Sequence, residues 1–191
     1  MQSSFDFFKL GMHNIIFLNV YGHFLLIITL CGIYTLPSWR KVASFLSVFI
    51  GAFIVTFLVS AFDLFEIPTG VFNYLVPLTI LVISISNFYR KKQVFTNRYP
   101  TQSYRYYLSF ISGLIHGFAF QNALIPLYED EILNNLVAFK LGVISSLALI
   151  AFFLLLTAFI ATYFVRVHLR EWNLIISGAC AGIAVYMMAN I

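Results

Sequence analysis

Apolar stretches of about twenty residues recur along the chain, and short polar segments separate them. An α-helix of this length crosses the roughly 30 Å hydrocarbon core of a bilayer. The pattern therefore predicts an all-α protein, a single domain over residues 1–191 that forms a bundle of six transmembrane helices. A further segment, Phe5–Asn14, is predicted to form a short amphipathic helix at the membrane interface. The predicted spans are 15–36, 42–62, 71–89, 106–127, 136–165 and 172–191.

The composition agrees with a protein embedded in a lipid bilayer. Hydrophobic residues make up 61% of the chain and charged residues 9%, whereas a soluble domain carries about 25% charged residues. So few charges cannot cover a water-facing surface. The formal net charge of +4 resides mainly in the loops between spans, so it suggests contact with anionic lipids and gives no reason to expect nucleic acid.

The distribution of charge predicts the orientation. Basic residues cluster after the first, third and fifth spans, and the acids lie mainly in the other connecting segments. Cytoplasmic loops collect lysine and arginine, so we expect these three loops in the cytoplasm and both termini outside. The basic residues in these loops are Arg40, Lys41, Arg90, Lys91, Lys92, Arg98, Arg105, Arg166 and Arg170.

Two histidines lie inside predicted spans and are the main candidates for chemistry. At 1.5 Å per residue, His23 in span one and His116 in span four reach similar depths, and His13 lies just outside span one. Together with Asn73 and Gln121 they predict a cavity open to the outside. The alternative is that each side chain makes a hydrogen bond to a neighbouring helix.

Acids are missing from the interior of every predicted span, and this absence argues against several functions. A divalent ion held by neutral groups alone keeps its full charge in a medium of low dielectric constant, which is costly. Metal-dependent hydrolysis also normally needs a carboxylate near the metal. Ser112 and His116 share a helix face, but no third group is evident to orient the base. We therefore expect no enzyme.

Small residues predict close helix contacts in the last span. Gly178 and Gly182 form a G-x-x-x-G pattern, which lets helices approach closely, either within the bundle or between subunits. This face is the candidate surface for a homo-oligomer or for a partner membrane protein. In span three, Pro77 predicts a kink, since proline removes a backbone hydrogen bond.

Several motifs together resemble the HupE/UreJ family of bacterial inner-membrane proteins. They are Phe8-Lys9-Leu10-Gly11-Met12-His13, Gly22-His23-Phe24-Leu25-Leu26, Tyr74-Leu75-Val76-Pro77-Leu78-Thr79-Ile80, Gly113-Leu114-Ile115-His116-Gly117-Phe118 and Arg170-Glu171-Trp172. The resemblance implies uptake of Ni²⁺ or Co²⁺ through the bacterial inner membrane. It also implies that His13, His23 and His116 occupy motif positions, and that His23 and His116 are candidate metal ligands.

The chain departs from the family pattern at several lining positions. Gly22 and Asn73 each stand where the family has an acid, and Phe57 stands near the place of a histidine. Ser145 and Ser146 stand where an acid and an amide are expected. The resemblance thus implies a permease-like scaffold with an eroded site, for a divalent metal or another small solute. The alternative is an accessory subunit that transports nothing and binds a partner membrane protein or complex.

Overall fold

Helices form all the regular structure in the described part of the chain. The structure is a computed structural model and describes residues 4–17, 21–61, 68–89, 103–124 and 132–191. Within them it has one 3₁₀ turn, Leu36–Ser38, and no strand, which confirms the predicted all-α class for these residues. The helices are α1 (Ser4–Phe17), α2 (Tyr21–Cys31), α3 (Trp39–Ala61), α4 (Thr69–Phe88), α5 (Tyr104–Leu124), α6 (Ile132–Tyr163) and α7 (Leu169–Ala189).

Four of these helices are long and apolar enough to cross a membrane. The apolar segments are Leu36–Thr56, which includes the 3₁₀ turn before α3, and Gly70–Phe88, Val137–Tyr163 and Leu169–Ala189. The predicted first span, 15–36, differs from the structure, because α2 has only 11 residues and a 3₁₀ turn with proline at its start follows it. Helix α5 has 21 residues, and Arg105 and His116 lower its hydropathy. The count of six spans therefore stays a prediction.

The N-terminal helix is longer than predicted and packs closely against α6. Its Gly11 lies against the backbone of Phe139, and Gly142 of α6 lies against the backbone of Phe8, so a side chain at either glycine would collide with the other helix. Ser146 Oγ lies 3.1 Å from the carbonyl of Met12. The two helices thus meet backbone to backbone. The interfacial position of α1 stays a prediction.

Helices α3 and α5 form a second close pair along a stripe of small residues. Ser109 Oγ donates to the carbonyl of Phe45 at 2.7 Å. One turn further on, Gly113 meets the backbone of Phe49, and after another turn Gly117 meets the side chain of Thr56. His116, the residue before Gly117, contacts His23 of α2 and Thr79 of α4, and its ring centroid lies 6.3 Å from that of Phe49 of α3.

Helix α2 lies in the middle of the bundle. It packs against α4, α6 and α7 and touches α1 and α5. Eight of its 11 residues are buried, as expected of a helix that is apolar on all sides. By contrast, α6 and α7 expose many large apolar side chains, among them Phe152, Phe153, Ile175 and Val185. A central helix with lipid-compatible helices around it agrees with a membrane protein.

Candidate functional site

The two histidines predicted to share a depth face each other at the centre of the bundle. Their ring centroids lie 4.9 Å apart and the rings are perpendicular. His23 comes from α2 and is 2% exposed, and His116 comes from α5 and is 0% exposed. The close approach of α2 to α4 helps to form this site, because a side chain at Gly22 would collide with Val76 and lie 3.9 Å from His116 Cε1.

A threonine of α4 fixes the tautomer of His116. Thr79 Oγ1 lies 3.0 Å from His116 Nε2 and 2.7 Å from the carbonyl of Val76. A hydroxyl has one proton to donate, and the carbonyl accepts it. His116 Nε2 must therefore carry a proton and donate to Thr79 Oγ1, which leaves Nδ1 with its lone pair.

Three ring nitrogens of the pair have no hydrogen-bond partner among the described residues. They are Nδ1 and Nε2 of His23 and Nδ1 of His116. Buried polar atoms in folded proteins almost always have a partner, and leaving one without costs about 1–3 kcal/mol. Such atoms in facing imidazoles mark a place where an electron-pair acceptor can bind.

Phenylalanines surround the pair. Phe53 and Phe120 meet the His23 ring edge to face, with centroids at 6.1 and 5.4 Å, and Phe139 stacks on Phe120 at 5.9 Å. All three are at most 2% exposed. We call Phe53, Phe120 and Phe139 the aromatic plug. With both histidines also buried, the site is occluded, whereas the sequence predicted a cavity open to the outside.

The structure brings together two of the five predicted site residues. His13 is exposed on α1 and Asn73 is exposed on α4, so neither joins the buried pair in this conformation. The side chain of Gln121 lies outside the described residues. The five predicted site residues do not include Thr79, which contacts His116 and lies in the same motif as Pro77.

Two further buried polar groups belong to the surroundings of the site. Lys140 of α6 is 8% exposed, and its Nζ lies 5.7 Å from the ring centroid of Phe53. Arg105, predicted as a cytoplasmic loop charge, lies in the first turn of α5 and is 1% exposed. That prediction was wrong, because the guanidinium hydrogen-bonds within the bundle, to Asn87 and to Leu30.

The atoms of this site that could bind a metal are few, and all of them are neutral. Imidazole nitrogen is a ligand that nickel, cobalt, copper and zinc accept. A neutral imidazole has one nitrogen with a free lone pair, so the pair offers two ligand atoms, Nδ1 of His116 and one nitrogen of His23. In the part of the chain that the structure describes, no group of three or more His, Cys, Asp or Glu side chains is placed to hold a metal ion. The residues present can therefore coordinate a transition metal but do not form a closed, charged binding site.

A family model described as "HupE / UreJ protein" matches residues 1–190. The chain belongs to the HupE/UreJ family. Neither a curated protein nor a solved structure gives a match. The predicted resemblance is thus confirmed over the whole match, and this HupE/UreJ protein keeps the Gly113–Phe118 motif at its central histidine. At Gly22, where the resemblance leads one to expect an acid, the helix contact with Val76 leaves no room for a side chain.

Proposed function

We propose that this HupE/UreJ protein is a permease-like membrane protein that passes a transition-metal ion, nickel or cobalt, between His23 and His116. The observation that carries this proposal is the set of three buried ring nitrogens without a partner among the described residues. Neutral imidazoles suit these metals, and the two rings come from different helices, so a small movement of α2 against α5 changes the coordination.

The chemistry of the site favours weak and transient binding. Two imidazoles and a threonine hydroxyl supply no negative charge, and the ammonium of Lys140 lies near the same phenylalanine as His23. A dication in this environment is held much less tightly than in a site with carboxylates. Weak sites permit release, which conduction requires. Another small, less charged solute is the alternative cargo.

Occlusion by the aromatic plug implies that the pathway opens by a conformational change. Phe120 lies one turn after His116 on α5 and contacts both His23 and Phe53. Displacement of Phe120 would expose the histidines from that end of the bundle. The structure thus corresponds to a closed state of the proposed permease.

For the topology, we propose six spans in the bacterial inner membrane, with both termini in the periplasm. Exposed aromatic residues support this, because Tyr and Trp collect at membrane interfaces. Trp39, Tyr107 and Tyr163 lie at the end of the bundle that carries the basic loops, and Tyr74 and Tyr186 lie towards the opposite end; all five are exposed. In this proposal α5 and the predicted first span, 15–36, which includes α2, complete the set of spans.

Uptake of labelled nickel or cobalt into vesicles that contain the purified protein tests the transport proposal. We expect His116→Ala and His23→Ala to abolish uptake. His168→Ala is the matched control, because His168 is exposed outside the pair and its loss should leave uptake unchanged. Absence of metal uptake by the unsubstituted protein would contradict the proposal.

One observation favours an accessory role as the second candidate. Gly178 and Gly182 of α7 are exposed, and a side-chain carbon at either meets nothing within 4 Å. This G-x-x-x-G face is available to another transmembrane helix, from a partner membrane protein or a second copy. Stable co-purification of one membrane protein, lost on Gly178→Leu and Gly182→Leu and combined with no uptake, would support this role.

A further inference from the structure

The C-terminal end of α2 is held by side chains from three other helices. The last carbonyls of a helix have no partner within it and need one from elsewhere. Asn87 Nδ2 of α4 donates to the carbonyl of Thr29 at 2.8 Å, and Arg105 Nη2 of α5 donates to that of Leu30 at 2.9 Å. Trp172 Nε1 of α7 donates to that of Gly32 at 2.9 Å. The carbonyls of Ile28 and Cys31 are bonded by the turn itself, through the amides of Gly32 and Tyr34.

Arg105 supplies a permanent positive charge at this end of α2. A helix carries partial negative charge at its C-terminus, and a cation there is favourable. The guanidinium is 1% exposed, and its Cζ lies 5.4 Å from the ring centroid of Tyr34 and 5.7 Å from that of Phe45. Such burial is costly for a charge unless its hydrogen bonds are well placed. The contact is therefore built into the bundle.

Three side chains, Asn87, Arg105 and Trp172, thus hold the end of α2, and we call them the cap. Asn87 contacts Arg105 directly. Its Oδ1 accepts from Arg105 Nη1 at 3.1 Å, and its Nδ2 donates to Thr29 and to Ser177 Oγ at 3.1 Å. An arginine can only donate and a carbonyl can only accept. The amide therefore has one orientation, and Arg105, Asn87 and Ser177 form one connected hydrogen-bond network.

The same two helices carry the cap and the histidine pair. His116 follows Arg105 by 11 residues on α5, and Leu30 follows His23 by seven residues on α2, about 16 and 10 Å of helix respectively. A bond at one end of each helix fixes how far α2 can slide along α5. Since His23 lies only two turns from the cap, that sliding would change its position against His116.

We infer that Arg105 is a positioning residue for the histidine pair. Its guanidinium holds the C-terminal end of α2 at one height, and through α2 it holds His23 opposite His116. A lysine would keep the charge but not the two-pronged contact with Leu30 and Asn87, because its ammonium is a compact point charge on a flexible stem. The inference rests on the proposed function only in what the pair binds; the geometry of α2 can be measured by itself.

Distances between spin labels test the inference directly. Tyr21→Cys on α2 and Tyr107→Cys on α5 place labels at positions that are 66% and 69% exposed, about 16 Å apart along the bundle. The parent carries C31A and C180A, since both native cysteines are buried, and must match the melting temperature of the protein without these substitutions. The full chain is measured in lipid nanodiscs.

We expect Arg105→Gln to shift or broaden the distance distribution by about 1.5–5 Å, one residue to one turn of helix. Arg105→Lys should give a smaller change of the same kind. Arg170→Gln is the control, because it removes an exposed arginine and should leave the distribution unchanged. If Arg105→Gln does not fold, the label distances are measured in Arg105→Lys and in Trp172→Phe, which loses the hydrogen bond to Gly32. A folded variant of Arg105 whose distances superimpose on those of the parent would overturn the inference.

Nickel affinity separates positioning from a general loss of stability. Titration of the purified chain with Ni²⁺ should show weaker binding in Arg105→Lys and in His23→Ala, and no further weakening when both changes are combined, since effects through a shared group are not additive. Additive losses would contradict the inference. If the unsubstituted chain binds no nickel, the proposed function fails, while the label distances still decide the role of Arg105.

Discussion

A single threonine proton determines what His116 can bind. Thr79 donates it to the carbonyl of Val76, so Nε2 of His116 acts as donor and Nδ1 stays available as a ligand atom. Metal-binding histidines commonly use one nitrogen for the metal and the other for an orienting hydrogen bond. His116 has such an orienting hydrogen bond, with Thr79 in place of the usual carboxylate or carbonyl.

At the residue scale, Thr79→Val should remove the orienting bond with little change in shape. We expect a loss of about 1–2 kcal/mol in the free energy of unfolding, because Nε2–H of His116 stays buried without its acceptor. Thr79→Ser keeps the hydroxyl and is the matched variant. The ¹⁵N spectrum of histidine should show the Nε2–H tautomer for His116 in the unsubstituted protein. An Nδ1–H tautomer there would refute the assignment.

Substitution of His23 should change the free energy of unfolding in the opposite direction. Since neither of its nitrogens has a partner among the described residues, His23→Leu should raise the free energy of unfolding by about 1 kcal/mol in metal-free buffer, while it abolishes uptake. Such a gain in stability with a loss of function is typical of functional sites. Thermal unfolding in the presence of a chelator measures the first effect. A marked loss of stability would show that His23 is held by a contact of its own.

At the scale of elements, glycines determine which helices can approach. Gly113 meets the backbone of Phe49, which cannot move aside as a flexible side chain can, and Gly117 meets Thr56. The helix pair α3–α5 therefore depends on the absence of two side chains. Because His116 lies between these glycines, the same stripe that binds α5 to α3 also sets the position of α5 at His116, whose ring contacts both Phe49 of α3 and His23 of α2.

Gly113→Ala should push α5 away from α3. We expect a cost of about 1–3 kcal/mol in the free energy of unfolding, as for other overpacked contacts, together with reduced metal uptake. Gly182→Ala on α7 is the matched control, since the new methyl group meets nothing within 4 Å and alanine is the better helix former. Equal stability losses in the two variants, measured by denaturant unfolding in the same detergent, would argue against the packing described.

At the scale of the whole molecule, local and periodic features were predictable and distant polar contacts were not. The shared depth of His23 and His116 follows from counting residues along two apolar helices. The role of Arg105 does not, because its partners come from α2 and α4, far away in the sequence. In a scheme that assigns basic residues to loops, a buried arginine at a helix start is indistinguishable from a solvated one.

The occluded site and the exposed histidine of α1 also depend on assembly. Nothing in the run around Phe120 indicates that its ring covers His23, since the contact needs α2, α3 and α5 together. His13 matched a motif position, but α1 docks on α6 through Gly11 and Gly142. A motif therefore locates a residue on a helix, while the docking of that helix decides whether the residue reaches the site.

The orientation of the molecule can be tested with single cysteines. Arg40 and Arg170 lie near the basic loops and Asn190 lies at the end of α7, and all three are exposed. If lysine and arginine collect on the cytoplasmic side, Asn190→Cys should react with a membrane-impermeant maleimide in spheroplasts. Arg40→Cys and Arg170→Cys should react only after the membrane is permeabilised. The reverse pattern would place the termini in the cytoplasm. Because His23 and His116 lie within the bundle, that result would reverse the side from which Phe120 closes the site and leave the histidine pair itself unchanged.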